Sequence, residues 1–182
     1  MELTHQGQTG GKMRLLALMI GTLVATIAVA GPGDDFRCPE GLIEKTNITK
    51  DDRLEKWCET KDGKREHLFR AWYKNGSEWQ YKEYKDGHQH GLSVLFSSNG
   101  QPSIKGKFDS GKKIGIWKRW WGNRQLKSEG RWAGYKPCGV FKCFDRKGEP
   151  APCGDSHLIV HAGCEQTETG ADCPWKCPAG SK

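Results

Sequence analysis

Four segments of this chain, starting at His67, Gly91, Gly115 and Gly139, lie 24 residues apart and share one pattern of apolar, aromatic and turn residues. Repetition at that period marks a chain built from small supersecondary units, each burying its apolar side against its neighbours. The segments read HLFRAWYKNG, GLSVLFSSNG, GIWKRWWGNR and GVFKCFDRKG. Their second positions are Leu68, Leu92, Ile116 and Val140, and their sixth are Trp72, Phe96, Trp120 and Phe144. Positions four apart in an extended strand face the same side, so the two columns predict one apolar face. Asn75-Gly76 and Asn99-Gly100 follow, a dipeptide suited to a type I′ turn with positive φ at both central residues.

The second half of each unit also recurs, with Tyr84, Phe108 and Trp132 in one column and Lys82, Gly106, Gly130 and Gly154 in another. Turn tripeptides KDG at Lys61 to Gly63, KDG at Lys85 to Gly87 and DSG at Asp109 to Gly111 punctuate the array. The expected fold is therefore all-β, a single-layer antiparallel meander of 24-residue hairpin units over residues 61–154. Residues 31–60 form an N-terminal cap segment and residues 155–182 a Cys-rich C-terminal segment.

The start of the chain bears on compartment. Met13 to Ala30 combine one Arg, an apolar run from Leu15 to Val29 and the small-residue signature Ala28-Val29-Ala30. This reads as a secretory signal peptide within residues 1–30, with Met13 an alternative start, and it directs the chain to the periplasm or outside the cell. The other use of the same run is a membrane anchor. Export makes the eight Cys candidates for disulfides. A turn at Lys147-Gly148 sets Cys143 nearly opposite Cys153, which predicts one pair. Cys38, Cys58, Cys138, Cys164, Cys173 and Cys177 are the remaining candidates, placed to staple caps over the sheet ends.

Charge is uneven. Residues 61–153 carry 20 basic and 9 acidic side chains, a net of +11, whereas residues 31–60 are net −3 and 154–182 net −2. A basic array suits an anionic partner, although Lys also guards the solvated face and edges of any thin sheet. Cys153, His157, His161 and Cys164 have ligand types and spacings that zinc accepts, but oxidation in an exported chain would remove the thiolates, so no metal is expected. His88 and His90, in the turn GHQHG, read as loop residues. No nucleophile and base pair, paired carboxylates or phosphate-cradling loop is visible, so the chain is expected to be a non-enzyme without a cofactor.

Fifteen of the 18 aromatic residues fall in the array. Trp117, in register with Phe69 and Phe141, lies opposite the main columns, and Trp79, Tyr81, Tyr73 and Trp121 are also outside them. The termini cover that face, or it is offered to a partner. If it binds, the anchors expected are Trp117, Arg119 and Trp121, with Trp79 and Tyr81, because Trp, Tyr and Arg dominate interface energetics.

The segments GLSVLFSSNGQPSIKGKFDSGKKIG and GIWKRWWGNRQLKSEGRWAG resemble the MORN repeat in its bacterial variant form. The resemblance covers about half the chain and implies an elongated, twisted, single-layer antiparallel sheet used for recognition or scaffolding. Many bacterial members are labelled antitoxins of toxin-antitoxin modules, although the export signal and eight Cys depart from a cytosolic antitoxin. The expected function is an exported, antitoxin-like or immunity-like module that binds a protein. The alternative is a peripheral binder of anionic membrane or envelope surfaces. Export argues against nucleic acid.

Overall fold

A computed structural model of the chain describes residues 31–154 and 163–177. The expected signal peptide or anchor, with His157 and His161, lies outside the described residues. The strands are β1 (Ile43–Ile48), β2 (Leu54–Glu59), β3 (Arg65–Trp72), β4 (Glu78–Lys85), β5 (His88–Phe96), β6 (Pro102–Asp109), β7 (Lys112–Trp120), β8 (Leu126–Gly134), β9 (Lys136–Cys143), β10 (Glu165–Thr167) and β11 (Gly170–Cys173). They form one open antiparallel sheet of 11 strands in the order β1-β2-β3-β4-β5-β6-β7-β8-β9-β11-β10. The meander is unbroken to β9, and only β11 inserts out of sequence. The 31–60 segment is thus more than a cap, since β1 and β2 extend the sheet.

The turns differ from the expected type. Tyr73 N–H bonds Ser77 O at 2.8 Å and Gly76 N–H bonds Tyr73 O at 2.9 Å, which closes a three-residue loop with positive φ at Gly76 alone. The same pair of bonds closes the loops at Ser97 to Gln101, Trp121 to Gln125 and Asp145 to Glu149. Asn-Gly therefore serves a type I turn followed by a glycine bulge. In the third loop Arg124 takes the glycine position at φ 73°. The two-residue turns with positive φ at both positions are instead Asp86-Gly87 and Ser110-Gly111.

Loops on successive hairpins bond to one another. Tyr73 Oη donates to Phe96 O at 2.8 Å, and Trp121 Nε1 donates to Phe144 O at 3.0 Å. Asn75 Nδ2 reaches Ser98 O at 2.9 Å, and Asn123 Nδ2 reaches Arg146 O at 2.6 Å. One edge of the sheet is thus knitted by side chains as well as by the strand ladder.

Alternation places Leu68 and Trp72 on one side, called here the column face, and Phe69 on the other. The two faces are covered from opposite ends. On the column face, Phe36, Cys58 and Trp72 form a buried cluster with Cys38, Leu42, Leu54 and Leu68, so residues 31–42 fold over the first strands. On the opposite face, Trp117, Trp132, Phe141, Ala171 and Cys173 are buried together, with Phe108, Ile104, Cys153 and Cys164 against them. Glycine permits that second cluster. A Cβ on Gly106 would overlap the Trp117 indole, and one on Gly130 would overlap the Phe141 ring. Lys82 holds the corresponding position in β4, with its ammonium 5.3 Å from the Phe69 ring centroid.

Four disulfides secure the covers: Cys38–Cys58, Cys138–Cys177, Cys143–Cys153 and Cys164–Cys173. The pair expected from local geometry, Cys143 with Cys153, is present, but the loop between them is Arg146-Lys147-Gly148. The first bond ties the N-terminal cover to β2 across 20 residues, a closure that stabilises by about 3 kcal/mol in the chain-entropy account.

Two substitutions should move stability in opposite directions. Gly130→Ala should lose about 1–3 kcal/mol through overpacking against Phe141. Arg124→Gly should gain about 1 kcal/mol by relieving the left-handed backbone. Urea denaturation of the oxidised protein checks both, and a neutral Gly130→Ala would show that the ring does not sit on the glycine.

Candidate binding surface

The side chains expected to anchor a partner do not share one exposed patch. Trp117 is only 9% exposed, its ring 5.1 Å from Phe108 in an edge-to-face arrangement. It belongs to the core and is not a surface anchor. Its indole Nε1 is buried and has no hydrogen-bond acceptor among the described residues. Lys113 lies over the rings of Trp117 and Trp132, at 4.6 and 4.4 Å from their centroids. Burial, then the nearby Arg119 guanidinium, lowers the Lys113 ammonium below the usual lysine range. Arg119 is partly buried on that same side, where desolvation also lowers its pKa.

Trp121 sits at the loop edge, where Lys127 and Arg146 approach its ring at 4.2 and 4.9 Å and its N–H bonds the next hairpin. Trp79 is the residue inserted at the bulge where β4 passes Trp72. It lies between Arg53, 4.2 Å from its centroid, and the tilted ring of Tyr73, at 6.1 Å. Tyr81 donates to Glu83 at 2.9 Å, and burial together with that carboxylate pushes its pKa up to about 12. Each of these three has a partner within the fold.

The zinc alternative loses both sulfur ligands. Cys153 and Cys164 are in disulfides with Cys143 and Cys173, so neither is a thiolate. Four disulfides are compatible with an oxidising, exported environment.

The surface that stands open among the described residues is the column face of β6 to β9, apart from Cys138, which is opposite Arg131 and buried in its disulfide with Cys177. Ile114, Ile116 and Val140 are 37%, 46% and 68% exposed there. Direct register partners project to the same side. Lys105 thus stands opposite Lys118, Lys107 opposite Ile114, and Ile116 opposite Arg131. Glu129 faces both Lys118 and Lys142. Lys118 bonds Glu129 at 2.7 Å. Lys105, Lys107, Arg131 and Lys142 make no ion pair among the described residues. Asp109 and Asp172 bound the patch at its margins.

Sequence reasoning missed this surface because it assigned Ile116 and Val140 to the packed columns. The available signal was the alternation Lys105-Gly106-Lys107, which puts two cations on one face and a bare glycine on the other. A glycine in a strand interior marks close approach of another group on its own side. Here that group is Trp117.

No protein-family model matches the chain, and no curated protein matches its sequence.

Trp117→Ala should destabilise by about 3–5 kcal/mol, the loss expected for a buried indole. Replacing Ile116, one residue away, by Thr should change stability by less than about 0.5 kcal/mol, as for an open surface site. Thermal melts of the two variants would refute the face assignment if the order were reversed.

Proposed function

We propose that this protein is a non-enzymatic, exported binding module that presents part of its sheet to a protein partner, in the manner of an antitoxin or immunity protein. The observation that supports it is the uneven cover. The N-terminal segment packs on one face at one end, and the C-terminal segment packs on the other face at the other end. On the column face, Ile114, Ile116 and Val140 are left in solvent among the described residues. An exposed apolar area ringed by polar groups is the usual form of a protein interface. The resemblance to MORN repeats, whose sheets serve recognition, agrees with this reading. The signal-like segment and the disulfides support the exported setting.

The alternative reading is a peripheral binder of anionic envelope surfaces, favoured by the net +11 of residues 61–153. Charge-driven adsorption weakens with salt, whereas a packed interface with an apolar centre persists. Affinity purification from the native envelope fraction at rising wash salt, followed by mass spectrometry, separates the two. The binding-module reading expects one stoichiometric protein retained at high salt. Loss of all bound material at moderate salt, with liposome binding lost in parallel, would overturn it in favour of the charged surface.

A further inference from the structure

We infer that the docking site is the column face of β6 to β9, and that the partner it fits is an acidic protein surface whose carboxylates surround an apolar residue. This deepens the binding-module reading and rests on it.

Three observations carry the inference. The first is charge. Lys105 and Lys118 stand directly opposite each other, an arrangement that destabilises a sheet unless an anion is shared between them. Glu129 answers Lys118 alone, at 2.7 Å. Lys105, Lys107, Arg131 and Lys142 therefore present charge outward, and carboxylates on a partner would complement it.

The second is the apolar centre. Ile116 stands between Lys118 and Ile114 along β7, with Arg131 directly opposite. Ile114, Ile116 and Val140 are all more than a third exposed. A docking patch with an aliphatic middle and a charged rim selects a folded or extended polypeptide over a uniformly charged polymer.

The third is the position of the aromatic rings. Phe108, Trp117, Trp132 and Phe141 all belong to the cluster on the opposite face. Among the described strands β6 to β9 the cationic face carries a single aromatic ring, Trp120 at the end of β7, and not the row of rings on which successive nucleotides stack.

The test uses the oxidised protein obtained by expressing the full chain. The probes are a synthetic peptide alternating glutamate and valine, its lysine-valine counterpart, and vesicles of phosphatidylglycerol. Two variants accompany them. Lys105→Glu/Lys107→Glu reverses the charge, and it places a carboxylate opposite Lys118, so the fold is kept. Ile116→Thr removes apolar area while retaining a β-branched side chain.

The glutamate peptide should bind and shift amide resonances in β6 to β9. Affinity should fall at least tenfold in the charge-reversal variant and at least threefold in Ile116→Thr. The lysine peptide and the vesicles should not bind. Equal binding of the glutamate peptide to the charge-reversal variant, or amide shifts confined to other strands, would overturn the site. Vesicle binding without peptide binding would overturn the protein partner in favour of lipid. The native capture experiment, repeated with the charge-reversal variant, keeps the two levels apart. A partner captured equally by both proteins would remove this surface and leave the binding module standing. No partner captured by either would remove the binding module itself.

Discussion

A sheet one layer thick has no second layer to dry its faces, so every apolar side chain in it needs cover from the same chain or stays in water. This protein meets that constraint with its termini. Residues 31–42 lie over the first strands on one face, and the segments carrying Cys153 and Cys164 lie over the last strands on the other. The cover is short in both places, and disulfides hold it. A cover of about ten residues buries too little to order itself against its own chain entropy, which is why a covalent tie to β2 matters.

What decides the core within the array is the approach of aromatic rings to glycine. Trp117 leans over Gly106 and Phe141 over Gly130, so that strands separated by one ladder step share a ring. The edge-to-face contacts of Trp117 with Phe108 and of Trp132 with Phe141 extend that layer. Burial of these rings leaves the other side of the same strands to Ile114, Ile116 and Val140. The open surface is a consequence of the core, because a sheet side chain can point only one way.

The all-β architecture was legible because Leu68, Leu92, Ile116 and Val140 recur with an aromatic residue four positions on. Cys143 with Cys153 was legible because a short hairpin loop separates them. The identity of the buried face was not. Periodicity shows that two residues share a side, and says nothing about what the termini do to that side. Trp72 is buried with Phe36, against which Leu42 packs, whereas Ile116, in the same face, meets no cover among the described residues. The bulges were hidden for a related reason. Insertion of Trp79, Ser103 and Lys127 beside Trp72, Phe96 and Trp120 leaves the apolar columns unchanged in sequence. His67 stands where the other copies have Gly91, Gly115 and Gly139, and it takes the same positive φ. Those glycines were read as repeat markers when their role is conformational.

The two faces of β7 differ, with Trp117 inside and Ile116 outside. Hydroxyl-radical footprinting of the oxidised protein, read by mass spectrometry residue by residue, measures that difference without mutation. Strong modification is expected at Ile116 and Val140, with protection of Trp117 and Phe141 despite the greater intrinsic reactivity of the aromatic rings. Rapid oxidation of Trp117 with protection of Ile116 would contradict that assignment of faces.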